Sequence, residues 1–166
     1  MEPKRKGLIV IGYTGIGKST IGGIDNCIDL ESGCFWVGDR RATDWYIPYC
    51  QLAMDLANQG YNVLISSHRL VVQYMESVPR LENVGAIVVV CPQKSMKDIW
   101  LERLEKRYNE TKTYKDYRSL HRAKDQYQHD IRDLLDCCLP VMQIDDLEHY
   151  SLRGYIHKAR SMWCLE

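Results

Sequence analysis

The chain predicts a three-layer α/β fold on a five-stranded parallel sheet, and three observations lead there. Short apolar, β-branched runs alternate with stretches of helical periodicity along all 166 residues, the pattern of strand–helix–strand crossovers. The first run, GLIVI at 7–11, leads directly into Gly12, Tyr13, Thr14, Gly15, Ile16, Gly17, Lys18, Ser19 and Thr20, which match G-x-x-x-x-G-K-[ST]. Residues able to begin a helix come next. That strand–loop–helix context is where a phosphate-binding P-loop must sit, at the carboxyl end of the first strand, and ligands of open α/β sheets bind at that edge.

Taken in order, the first strand covers 7–11 and the P-loop helix runs from about 18 to 24. A short second strand lies at 27–30, and 31–42 read as irregular. A helix then extends to Asn58, where Gly60 ends it; Thr43 or Asp44 caps its start, and Pro48 must lie near its first turn. YNVLI at 61–65 is the third strand, and Ser67 caps a helix over 68–77. AIVVV at 86–90 is continuous and β-branched, as a strand buried on both faces must be. Ser95 and Asp98 form a capping arrangement for a helix reaching about Tyr108, and a longer helix covers about 115–137 until Pro140 breaks it. A strand at 141–144 and a helix from Ser151 complete the pattern. Residues 1–166 are expected to form a single domain.

Bulk composition narrows the function. Lys and Arg number 22 against 22 Asp and Glu, so the field of the whole molecule recruits neither nucleic acid nor an anionic membrane. Seven cysteines at irregular positions show no metal-ligand spacing, and an odd count argues against a disulfide framework. Reduced thiols in a cytoplasmic protein are expected. The basic N-terminus leads into only five apolar residues, too few for a signal peptide or a membrane span.

The motif's spacing serves triphosphate chemistry. Its glycines let consecutive backbone N–H groups turn inward as an anion nest, and the following helix adds its N-terminal dipole. Residues 12–20 are therefore expected to bind ATP, with Lys18 on the β- and γ-phosphates and the Ser19 hydroxyl on Mg²⁺. Asp29 and Glu31 stand at the end of the second strand and share a face, because alternate strand residues do. Two like charges there are costly unless used or paired.

In the order of these features the chain resembles the small P-loop kinases of nucleosides, nucleotides and sugar acids, those of the nucleoside monophosphate kinase fold. The resemblance implies a P-loop NTPase fold with a helical lid, an acceptor region at about 29–59 and a lid at about 103–124. Many such kinases carry an acidic pair at the end of the second strand, which implies that Asp29, with Glu31 behind it, binds the acceptor and takes or holds its hydroxyl proton. Asp39, Arg40, Arg41, Asp44 and Trp45 loosely resemble the D-R-x-P-W stretch of gluconate kinases. They imply acceptor contacts from Asp39, Arg40 and Arg41, with Trp36 as a candidate for stacking. Trp45, Tyr49, Leu52 and Leu56 follow helical spacing and read as core.

The third strand ends in Ser66, Ser67 and His68, where a standard Walker B would end in an acid. Gluconate kinases also lack an acid there, which sets the chain apart from GTPases and motor ATPases; His68 reads as structural. Arg103 and Arg107 share a helix face, and resemble the lid arginines that reach adenine and the transferring phosphate, with Arg118 and Arg122 repeating the spacing. Residues 103–124 hold eight Lys and Arg against three acids, a local excess in a neutral chain. The expectation is an ATP-dependent, Mg²⁺-requiring phosphotransferase in which Lys18, Asp29 and Arg107 are catalytic. Its partner is a small-molecule acceptor, a nucleoside or nucleotide first and a sugar acid or polyol second. A polynucleotide or modified-base DNA kinase is less favoured, and a non-catalytic ATP sensor is the rival that is no enzyme. Length and style resemble small phage-associated kinases. The sequence is silent on oligomeric state.

Overall fold

The computed structural model describes residues 4–37 and 40–165. Five of the seven strands form one all-parallel sheet: β1 (Gly7–Gly12), β2 (Cys27–Asp29), β5 (Asn62–Ser66), β6 (Val84–Pro92) and β7 (Val141–Ile144), in the order β2-β5-β1-β6-β7. β1 is buried at every position because it has strands on both sides and helices above and below. The edge strands β2 and β7 are more polar and partly exposed.

The helices are α1 (Lys18–Ile21), α2 (Tyr46–Asn58), α3 (Arg69–Ser77), α4 (Lys97–Thr111), α5 (Tyr114–Leu135) and α6 (Leu152–Met162). Two glycines of β1 show which face each side of the sheet presents. A Cβ on Gly7 would lie 1.9 Å from the Ala57 carbonyl oxygen, so that face of β1 lies against α2. A Cβ on Gly12 would lie 2.2 Å from Ile16 Cδ1, on the P-loop side. Positions 7 and 12 differ in parity, so α2 and the P-loop cover opposite faces. Chain connections leave β1 toward β2 and β5 on one side and toward β6 on the other. The strand order therefore reverses beside β1, at the crevice where the P-loop begins.

Several boundaries differ from the sequence reading. α1 ends at Ile21 rather than near 24, because Gly22, Gly23 and the left-handed Asp25 and Asn26 (φ 52° and 58°) turn the chain into β2. The stretch expected to be irregular contains a small antiparallel hairpin of β3 (Trp36–Val37) and β4 (Arg40–Arg41). Neither Thr43 nor Asp44 caps α2; Trp45 occupies that position, without a side-chain cap, after a left-handed Asp44. His68, not Ser67, caps α3, its Nδ1 accepting from the Leu70 N–H at 3.2 Å. No side chain caps α4, which follows a 3-10 turn at Lys94–Met96. α4 runs past Tyr108 to Thr111, and Lys112, with φ 52°, reverses the chain within two residues into α5. Residues 103–124 thus belong to a tight α4–α5 hairpin. Trp100, Leu104, Leu120, Ala123 and Tyr127 of these two helices are buried.

All six described cysteines are free thiols, and among the described residues no helix is long and apolar enough to cross a membrane.

Candidate nucleotide and acceptor site

The P-loop is shaped by what holds its carbonyls. Trp100 Nε1 donates to Thr14 O at 2.9 Å, Arg103 Nε to Gly15 O at 2.7 Å and the Tyr150 hydroxyl to Ile16 O at 2.6 Å. Three successive carbonyls are drawn outward. A trans peptide sets its N–H opposite its C=O, so the amides of Gly15 and Gly17 turn to the inside of the loop. That is the geometry of an anion nest. Gly15 and Gly17 have φ of 87° and 103°, which L side chains rarely adopt. A Cβ on Gly15 would also meet Leu104 Cδ2 at 2.8 Å, so α4 sits tightly beneath the loop.

Lys18 arches back over this loop and donates to Gly12 O at 2.6 Å. Burial is the main cause that lowers its ammonium to about 8; nearby Lys115 and Arg107 lower it further, while Asp29 and Glu31 oppose them. Charges at the end of β2 and on the helical hairpin thus act on the P-loop lysine, whose own hydrogen bonds run to backbone carbonyls of the loop. Ser19 and Thr20 stand exposed at the start of α1.

Asp29 faces the same side, its Cβ 3.2 Å from where a Cβ on Gly22 would lie, at the end of α1. Burial raises its carboxyl above the ordinary value, and Glu31, within hydrogen-bonding reach, raises it further against the opposing charges of Lys18 and Lys115. Glu31 itself is exposed, and Lys115 Nζ reaches it from α5 at 2.7 and 2.8 Å, one contact to each carboxylate oxygen. This ion pair spans the cleft between the hairpin and the sheet edge.

The hairpin arginines are engaged. Arg103 holds Gly15 O as above and lies over the Trp100 ring, 5.4 Å from its centroid. Arg107 pairs with the buried Asp116 at 2.7 Å, and Thr111 Oγ1 donates to the same carboxylate at 2.5 Å. Burial works against the Asp116 charge, but Thr111, Arg107 and Thr113 together hold it below the ordinary carboxylate value. Thr113 caps α5 by accepting from the Asp116 N–H at 3.2 Å. The turn between the helices is thereby braced from both sides.

On the acceptor side, the Tyr49 hydroxyl donates to Leu30 O at 2.7 Å and accepts from the Ser66 N–H at 2.9 Å. It ties the ends of β2 and β5 where their ladder stops. Arg41 lies 4.1 Å from the centroid of the Trp45 ring, and its guanidinium donates to Ser32 Oγ at 3.2 Å. Trp45 meets His68 edge-on at 5.2 Å. Burial and then Arg118 disfavour the Arg41 charge, and burial, Arg41 and Arg122 lower His68. The charges of Arg118 and Arg122 on α5 thus act on Arg41 and on His68, respectively. Arg122 is also held by Asp130 through two contacts of 2.9 Å.

Of the residues read from sequence, 12–20, Asp29, Glu31, Arg41, Arg103 and Arg107 gather around this cleft. Asp39 lies outside the described residues, as do the side chains of Trp36 and Arg40, whose backbones form the β3–β4 hairpin. Trp45 and Tyr49 are core, as their spacing implies, but Leu52 is exposed. Trp100 and Tyr150 escaped the sequence reading, which took Tyr49 only as core and Lys115 and Asp116 only as part of the charge balance of 103–124. Trp100, three residues before Arg103 on one helix face, carried a usable signal; the others act across long stretches of chain.

No family model and no characterised protein matches the chain by sequence. Its structure is similar to that of a gluconokinase from Sinorhizobium meliloti 1021, with a TM-score of 0.52 and 14% identity over 98% of this chain and 94% of that one. The two share a fold, with helices packed on a five-stranded parallel sheet in this chain. At such low identity the likeness extends to the fold and no further.

Proposed function

We propose that this protein is an ATP-dependent phosphotransferase that moves the γ-phosphate of Mg-ATP to a small acceptor, a nucleoside or nucleotide in the first instance. The observation that carries the reading is the convergence on Lys18: a nest of inward amides, an acidic pair at the sheet edge and cations of the hairpin share one cleft. Phosphoryl transfer needs positioning and charge stabilisation, and such a cleft supplies both.

Each residue has a task in this scheme. The P-loop amides and Lys18 bind the β- and γ-phosphates. Asp29, whose raised carboxyl value suits a base better than an ordinary aspartate, accepts or orients the acceptor hydroxyl proton. Trp100, Arg103 and Tyr150 position the loop. Exposed Ser19 offers a hard oxygen of the type Mg²⁺ takes, and β5 ends in Ser66 where a Walker B acid would stand, so Ser19, phosphate oxygens and waters suit the ion. An ion held there would supply charge neutralisation on the transferring phosphate.

The like charges of Arg41 and Arg118, which act on one another, favour an anionic acceptor, as a nucleotide is. A sugar acid is the second reading. It also carries an anionic group, and the structurally similar protein is a gluconokinase. The deciding experiment is transfer of labelled γ-phosphate from Mg-ATP to nucleosides, nucleotides, sugar acids and oligonucleotides, with Lys18→Ala as control. Transfer to one class names the acceptor; ATP bound tightly and never transferred would overturn the kinase reading in favour of a nucleotide sensor.

A further inference from the structure

Among the cations of the α4–α5 hairpin, Lys115 stands differently from Arg103 and Arg107. Arg103 is committed to Gly15 O and Arg107 to buried Asp116. Lys115 instead holds Glu31, in a pair whose side chains are 58% and 52% exposed. An exposed lysine–carboxylate pair contributes little to stability, because water solvates both charges and salt screens them. A phosphate group carries more charge and more acceptor oxygens than Glu31 and competes well for the same ammonium.

Lys115 also projects from a firm base. It is the second residue of α5, whose start is fixed by the Thr113 cap and by Asp116, itself gripped by Thr111 and Arg107. Its charge is felt at Lys18 and at Asp29, the two groups between which a transferring phosphate would lie.

We propose that Lys115 is a second phosphate-binding residue, stored on Glu31 and transferred to the γ-phosphate when a triphosphate occupies the P-loop. This rests on the reading of the cleft as an ATP site. The exchange couples two events. As Lys115 leaves, the Glu31 carboxylate gives up this contact beside Asp29, where an acceptor hydroxyl would lie. The ion pair thereby keeps the acceptor end of the cleft covered until nucleotide is present.

The two partners of an ordinary structural ion pair give effects of the same sign when either is removed. Here they must differ. Titration calorimetry with the Mg complexes of a β,γ-imido ATP analogue and of ADP tests this on the wild type, Lys115→Met and Glu31→Gln. Lys115→Met is expected to weaken the triphosphate analogue by about tenfold and leave ADP within about twofold. Glu31→Gln, which frees the lysine, is expected to tighten the analogue by about threefold to fivefold and leave ADP unchanged. Unchanged ADP affinity in both variants serves as the check on folding. Equal losses for both nucleotides in Lys115→Met, or parallel losses in the two variants, would overturn the proposal while leaving the ATP site intact. A wild type that binds neither nucleotide would overturn the ATP site and the role of Lys115 with it.

Discussion

Replacing Lys18 with methionine should stabilise the protein while removing its hold on a triphosphate. Methionine keeps an unbranched, flexible chain and drops the charge. In the folded chain burial lowers the Lys18 ammonium from the ordinary 10.5 to about 8. Lowering it that far corresponds, at about 1.36 kcal/mol for each tenfold change in proton affinity, to about 3 kcal/mol of unfavourable burial. The hydrogen bond to Gly12 O offsets about 1 kcal/mol of this. Water reaching the half-buried side chain screens part of the remainder. The expected net gain is ~1–2 kcal/mol, a rise in Tm of roughly 2–8 °C for a chain of this size.

The sign with pH follows from proton binding. Between about pH 8 and 10.5 the unfolded chain holds more protons at this position than the folded one, so the wild type gains stability as pH rises through that window. The methionine variant lacks this gain. The stability gap between the two is full below about pH 8 and closes toward 10.5. Thermal unfolding followed by circular dichroism on both sides of that window, with ATP affinity measured beside it, reads all three expectations. A lower Tm for the variant at neutral pH, or a gap that widens with pH, would refute the reasoning.

Asp29→Asn should reduce kcat by about a hundredfold or more with ATP affinity within about twofold, and an equal loss of ATP binding would move Asp29 from the acceptor to the metal. Because burial and Glu31 raise the Asp29 carboxyl, wild-type kcat should fall with decreasing pH at a pH above the ordinary aspartate value of 3.8; a limb at or below that value would speak against Asp29 as the base. Asp116→Ala leaves Arg107 unpaired beside the hairpin turn and should cost about 2 kcal/mol in chemical denaturation. The folded Asp116 carboxyl lies below 3.8, so its contribution is full above that pH and is lost as pH falls through the folded value; an acid limb unchanged in the alanine variant would count against it. Tyr49→Phe strands Leu30 O and the Ser66 N–H and should lower Tm by roughly 2–8 °C, while a neutral result would mean that water replaces the hydroxyl without loss.

Local chemistry made much of this legible. The β-branched runs at 8–11 and 86–90 can bury themselves only as strands of a parallel sheet, and the glycines of 12–17 with Lys18 serve little else than a phosphate. The acidic pair was readable because Asp29 and Glu31 sit two apart at a strand end. Boundaries fared less well where backbone conformation decided them. Nothing in the Lys112 side chain announces a left-handed φ, yet that one residue sets the hairpin and hence the position of Lys115.

By itself the sequence determined the α/β class, the P-loop and the end of the sheet at which chemistry is to be sought, since each depends on residues near one another in the chain. Tertiary structure alone decided what surrounds them. Trp100 reaches Thr14 across 86 residues, Tyr150 reaches Ile16 across 134 and Lys115 reaches Glu31 across 84. Contacts at such separations arise from how helices pack on the sheet, and no local pattern encodes a partner that distant. The same packing decided which hairpin cation pairs with a buried acid and which with an exposed one, because Asp116 stands beside Arg107 and Glu31 beside Lys115.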